Sequence, residues 1–210
     1  MSAPVLYDIS PLIDAALAVW PGDTPPSREV LLDITSGHNI TLSTLRATVH
    51  LGAHADAPSH YGAGGADAAS LALDRYVGPC DVMRVAVERD RLVTPAMLPR
   101  APGTPRLLLA TGTFPDPTRF NSDFAALSPE LVDHLHAAGV TLVGIDTPSV
   151  DPIMSKDLAA HQRCLAHDMA ILEGLVLGEV PEGRYELIAL PLRLAGFDAS
   201  PVRAVLRKSP

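Results

Sequence analysis

Hydrophobic positions recur along the chain with two different periods. Through the first third they form short apolar runs or alternate with polar residues, which is the pattern of strands. Val5 to Ile9 and Arg28 to Ile34 read as strands, and Ile40 to His50 as a longer one with Leu45, Ala47 and Val49 on one face. That strand runs into Leu51-Gly52-Ala53-His54. Pro58 then ends regular structure, because proline lacks the N–H that a strand ladder needs. Gly62 to Gly65 reads as a turn, and Met83, Val85 and Val87 alternate in a further strand. Thr94-Pro95 reads as the cap and first residue of a short helix ending near Pro99.

The second half changes character. Leu107 to Ala110 is a short, wholly apolar strand. Ser128-Pro129 opens a helix whose stripe is Leu131, Leu135 and Ala138, and Gly139 stops it. Val140 to Ile145 follows as a buried strand, and Asp157 to about Ala166 as a helix with Leu158, Cys164 and Leu165 inward. Ala170 to Leu172, Tyr185 to Leu190 and Val202 to Leu206 read as strands. The succession predicts an α/β fold with a mixed β-sheet, built as one domain over residues 1–210.

Composition narrows the function classes. The 210 residues are 47% hydrophobic and 19% charged, below the roughly 25% charge of an average soluble protein, which excludes intrinsic disorder. The 20 prolines are spread out and so imply many fixed turns rather than a linker. Net charge is −8, and the only basic grouping beyond a dipeptide is Arg203 to Lys208, so nucleic acid is not the expected partner. The first basic residue is Arg28 and no apolar run approaches membrane-spanning length. Neither a signal peptide nor a membrane span is therefore expected, and the expected location is the cytoplasm. Cys80 and Cys164 lack a CxxC spacing and read as buried, reduced thiols. Low surface charge points to a face covered by a second copy, hence a homodimer.

The candidate chemistry is concentrated in His50-Leu51-Gly52-Ala53-His54-Ala55-Asp56-Ala57-Pro58-Ser59-His60. Imidazole nitrogen and carboxylate oxygen suit Zn²⁺ and similar divalent ions. Gly52 lets the chain fold back so that His50 and His54 converge, with Asp56 following in the same turn. Such a cluster draws further ligands from elsewhere, and His161 and Glu173 are the best placed. Glu173 ends an apolar strand before Gly174, where the alternative is a solvated strand end. His134 and His136, two apart on a helix, face different ways and read as surface residues. His38 reads as a turn residue, His167 as a packed helix-end histidine or a support for the site. Asp146 either lines the site or forms a turn before Thr147-Pro148. Ser149 has no triad partner, and the GxSxG elbow of a serine hydrolase is absent.

The stretch His50 to His60 resembles the HxGTHxDxPxH signature of the metal-dependent cyclase-like amidohydrolase family, with Ala53 where Thr is usual. Further likeness lies in Asp8-Ile9-Ser10-Pro11, Val19-Trp20-Pro21-Gly22-Asp23-Thr24-Pro25, Gly144 to Pro152 and Ile171-Leu172-Glu173-Gly174-Leu175. The resemblance implies a swivelling β/β/α fold, a homodimer and two divalent metal ions per subunit, zinc first and manganese second. It implies that His50, His54 and Asp56 hold one ion, that Asp56 bridges to a second completed by His161 and Glu173, and that His60 is the catalytic acid/base. Trp20 is then the residue lying against an aromatic substrate. The implied reaction is hydrolysis of an aryl formamide, N-formyl-L-kynurenine, in tryptophan breakdown. The alternatives are an isatin-type cyclic amide as substrate and a metal or small-molecule binding module without turnover.

Overall fold

The apolar runs of the second half become the centre of a nine-stranded mixed sheet in the computed structural model, which describes residues 5–208. Of the single domain expected over residues 1–210, residues 1–4 and 209–210 lie outside the described residues. In chain order the strands are β1 (Val5–Asp8), β2 (Ser27–Leu32), β3 (Leu42–Arg46), β4 (His54–Asp56), β5 (Val77–Arg84), β6 (Leu92–Val93) and β7 (Arg106–Ala110). They continue as β8 (Ala126–Leu127), β9 (Leu142–Ile145), β10 (Ala170–Glu173), β11 (Gly183–Ile188), β12 (Ala199–Pro201) and β13 (Val205–Lys208). The α-helices are α1 (Pro129–Ala137) and α2 (Ala159–Ala166). No helix among the described residues is long and apolar enough to cross a membrane.

The sheet order is β1-β13-β11-β5-β7-β9-β10-β4-β12. The inner strands β5, β7, β9 and β10 run parallel, and antiparallel strands extend the sheet on both sides. This is the mixed α/β architecture that the sequence predicts. Strand period two divides the buried residues between two cores. Leu107, Leu109, Val143, Ile145 and Ile171 face α1 and α2, whereas Leu108, Leu142 and Leu172 join Ala55, Val82 and Leu206 on the opposite face. Helix α1 begins as expected: the Ser128 hydroxyl accepts a 3.1 Å bond from the Leu131 N–H, with Pro129 at the first helical position.

Several boundaries differ from the expectation. Strand β5 starts at Val77 and ends before Val85 and Val87, whose alternation continues past its pairing. It tolerates Pro79 because β7 joins only from Asp81 onward, so Pro79 has a ladder partner on one side alone. Helix α2 starts at Ala159 rather than Asp157, and Ala138 lies exposed beyond α1. Strand β13 begins at Val205, after β12, a strand the hydrophobic pattern did not reveal. The largest departure is the segment expected as one strand from Ile40 to His50. Only Leu42–Arg46 is strand; it pairs with β2 in a separate two-stranded hairpin, and Leu45 is 63% exposed. The alternation is present, but among the described residues Leu42 and Leu45 are left uncovered, while Ala47 and Val49 are half-buried.

Candidate metal centre

The antiparallel register of the short strand β4 assembles the site. Its alternation sends Ala55 into the core and His54 and Asp56 to the other side. Glu173 of β10 lies opposite His54, and Ala199 of β12 lies opposite Asp56. Gly52 (φ +56) turns the chain just before β4, and its carbonyl accepts a 2.8 Å hydrogen bond from His54 Nδ1, leaving Nε2 turned to the carboxylates. Gly174 (φ +65) lets the end of β10 lie against that same carbonyl, where a Cβ would stand 2.1 Å from the Gly52 oxygen.

His161 comes from the first turn of α2. Asp151 takes the place of a helix cap, accepting 3.0 Å hydrogen bonds from the N–H groups of Ala160 and His161. The same carboxylate accepts from His161 Nδ1 at 2.7 Å, which fixes the ring and directs Nε2 at Asp56 Oδ2, 3.2 Å away. Sequence reasoning assigned Asp151 no role although it lies within the family-like segment Gly144 to Pro152, and the role becomes visible only through its bonds to α2.

His50, His54, Asp56, His161 and Glu173 thus converge. His50 Nδ1 and His54 Nε2 lie 3.2 and 3.5 Å from Asp56 Oδ1, and His54 Nε2 lies 3.3 Å from Glu173 Oε2. His161 Nε2 lies 3.5 Å from Glu173 Oε1. Each carboxylate therefore turns one oxygen toward the His50–His54 side and one toward His161. Among the described residues three buried side-chain polar atoms lack a hydrogen-bond partner, and two of them are His54 Nε2 and Asp56 Oδ1. Leaving such atoms unpaired is costly, so they call for a partner. Two ligand atoms on one tetrahedral ion at about 2.0–2.2 Å stand about 3.3–3.6 Å apart, which is the spacing found here. The donor set fits divalent metal.

The charge balance agrees. Burial works against charge on His50, yet the pull of Asp56 and then Asp198 raises its pKa to about 9. Burial likewise opposes charge on His161, and hydrogen bonds to Asp151, Asp56 and Glu173 push its pKa up to about 12. Asp56 is held well below the usual carboxylate range despite burial, by His161 and His50. Glu173 is also lowered, against burial and the Asp56 charge, by His161 and His54. Two buried carboxylates thus demand positive charge at this point, which protons or a dication can supply.

His60, at the end of the single turn Pro58–His60, is more exposed and lies beside this set rather than within it. Its ring centre is 4.2 Å from that of His50, and its Nδ1 faces Asp198 Oδ2 at 3.3 Å. A His60 nitrogen also comes within 4.8 Å of donor atoms on Asp56 and His161. Asp198 was not singled out in the sequence.

His50, His54, His60, His161 and Glu173 border a cleft of about 660 Å³. Trp20, Phe114 and Phe120 line it as an aromatic wall, with Trp20 edge-on to Phe120 at 5.6 Å and Phe114 edge-on to Phe120 at 5.7 Å. Asp146 lines the cleft and is also structural. It accepts hydrogen bonds from Thr111 N, Thr111 Oγ1 and Gly112 N, and so shapes the loop that carries Phe114. Burial raises its pKa against those bonds. Ser149 also borders the cleft, and its hydroxyl accepts from Asp151 N. The remaining histidines lie elsewhere: His134 is exposed, His38 bonds the Asp33 turn, and His167 accompanies Asp133 and stacks on His136 at 4.0 Å.

A family model described as "Putative cyclase" matches residues 7–152, more than half of the chain. A solved structure described as a "potential metal-dependent hydrolase with cyclase activity" is 30% identical, with a TM-score of 0.83 over 99% of this chain and 100% of that one. A "predicted metal-dependent hydrolase" from Bacillus stearothermophilus is 29% identical, with a TM-score of 0.82 over 99% and 100%. Isatin hydrolase A from Labrenzia aggregata, bound to benzyl benzoate, shares the fold at 19% identity, with a TM-score of 0.79 over 99% and 94%.

Proposed function

Because this chain belongs to the Cyclase family and resembles solved structures described as potential or predicted metal-dependent hydrolases, we propose that it is an arylformamidase, hydrolysing N-formyl-L-kynurenine to L-kynurenine and formate. The carrying observation is that His50, His54, His161 and Glu173 of the His/Asp/Glu cluster share one cleft with an aromatic wall. His50, His54, Asp56, His161 and Glu173 would hold two divalent ions, zinc or manganese. Ions held there supply Lewis acidity at neutral pH. Asp56 and Glu173 each present one oxygen to both groups of histidines, so the two carboxylates fix the spacing of the whole set.

The chain's other residues position the substrate and move a proton. Trp20 offers the aryl ring a flat apolar face. In the hydrolysis the formyl C–N bond breaks, a water oxygen joins the formyl carbon, and the aryl nitrogen leaves with an added proton. His60 supplies that proton from the ring nitrogen not engaged by Asp198. A second reading, hydrolysis of a neutral cyclic amide such as isatin, is favoured by one observation: no Lys or Arg lines the cleft among the described residues to pair with a substrate carboxylate.

Parallel assays with N-formyl-L-kynurenine and isatin, before and after chelation, test the proposal. Chelation-sensitive turnover of the formamide is expected, and turnover of isatin alone overturns it. Trp20→Ala is expected to raise KM for the aryl formamide by about 2–12-fold, corresponding to ~0.5–1.5 kcal/mol of aromatic contact. A small non-aromatic formamide should scarcely register the change. Equal loss on both substrates would assign Trp20 to the fold instead.

The assembly proposed is a homodimer joined through the β2–β3 hairpin. Val30, Leu31, Leu42 and Leu45 are 45–63% exposed there. A compact monomer of this mass exposes about 9,300 Å², and the chain exposes 10,794 Å². The excess exceeds the roughly 800 Å² that each partner buries in an interface of standard size. Sedimentation should give about twice the 22.1 kDa chain mass, and Leu45→Asp should shift it toward the monomer. A wild-type monomer at micromolar concentration overturns the proposal.

A further inference from the structure

Among the described residues, Asp198 is the carboxylate within hydrogen-bond distance of both a proposed metal ligand, His50, and the proposed proton donor, His60. It stands immediately before β12, and its backbone carbonyl accepts a 2.9 Å hydrogen bond from Ala57, the residue after β4. The antiparallel pairing of β12 with β4 therefore fixes where its side chain emerges. One oxygen, Oδ2, lies 3.0 Å from His50 Nε2 and 3.3 Å from His60 Nδ1. An ionised carboxylate oxygen only accepts, so both rings donate to it.

That shared acceptor has a defined consequence for each ring. With its Nε2 proton held by Asp198, His50 offers Nδ1, which faces Asp56 Oδ1, as the nitrogen that an ion would take once the Nδ1 proton is displaced. With its proton at Nδ1, His60 keeps Nε2 for the proton it passes to a leaving group. We infer that Asp198 is a positioning residue that sets the tautomer and orientation of His50 and His60 together, and so links the metal centre to proton transfer. The inference rests on the functional reading above.

Two variants test it, each measured for folding by circular dichroism, zinc affinity in chelator competition, zinc stoichiometry and steady-state kinetics. Asp198→Ala should weaken zinc binding and lower kcat, each by about 10–100-fold, with little change in KM. Asp198→Asn keeps the shape but accepts with a neutral oxygen, whose hydrogen bonds are about half as strong, so it should lie between wild type and Asp198→Ala. Because the Asp198 side chain is 48% exposed, acetate should reach the space vacated in Asp198→Ala and restore part of its kcat, while leaving Asp198→Asn unmoved.

Wild-type zinc affinity and kcat in Asp198→Asn would overturn the inference, since shape alone would then suffice. Loss of a whole zinc equivalent at saturation would overturn it as well, by making Asp198 a ligand. If Asp198→Ala does not fold, Asp198→Asn decides alone. If the wild-type chain hydrolyses no amide in a chelation-sensitive way, the functional reading has failed, and zinc affinity still judges Asp198.

Discussion

Exhaustive chelation is expected to reduce amide hydrolysis to background, and zinc or manganese to restore it. The expectation follows from the two buried, unpartnered atoms His54 Nε2 and Asp56 Oδ1 and from the donor spacing around them. Asp56→Asn and Glu173→Gln should have the same effect without chelator. Each replaces a carboxylate that faces both groups of histidines with a neutral amide, and metal content should fall further than thermal stability. Acid should act in the same direction. Without metal, His50 titrates at about 9 and His161 at about 12, so at pH 7 both rings carry protons that an ion must displace. Loading therefore releases protons, and apparent affinity falls as pH falls. Calorimetry in buffers of different ionisation enthalpy measures the release, and elemental analysis the content. Full activity in metal-free protein would refute the metal centre.

His60→Ala is expected to lower turnover by roughly 10²–10⁴ while leaving both metal equivalents in place. Five donors remain without it, and its own Nδ1 is engaged by Asp198 rather than by the carboxylates of the cluster. Its approach to Asp56 and His161 makes metal content the deciding measurement. If the variant loses an equivalent of metal along with its activity, His60 is a ligand and the proton comes from elsewhere.

The residues of this centre were legible in the sequence to very different degrees. His50, His54, Asp56 and His60 share one short segment, so their spacing alone signals metal chemistry. Glu173 was ambiguous on local grounds, because a carboxylate at a strand end is ordinary until a partner faces it. That partner is His54, brought opposite by the register of β10 on β4. Asp198 had no local signal, and Asp151 lay in a family-like segment that gave it no role. Asp198 follows Phe197 in a loop and acquires its role from the pairing of β12 with β4, and Asp151 acquires its role from the start of α2. In the fold, the buried parallel strands β7, β9 and β10 were recognisable from their apolar runs, whereas β5, broken by Pro79 and Asp81, was not. The hairpin misled because its alternating face implies a cover that the single chain does not provide.

The close approach of Gly174 to Gly52 extends the heritable signature of the centre one residue beyond its ligands. A methyl group at position 174 would collide with the Gly52 carbonyl, and that carbonyl holds the His54 ring through Nδ1. The collision would reach His54 although neither glycine binds anything. Alanine at position 174 is therefore expected to disturb the His54 ring as directly as a substitution beside it. A descendant chain that kept every ligand but acquired alanine there would look intact by its motif and be lost as an enzyme.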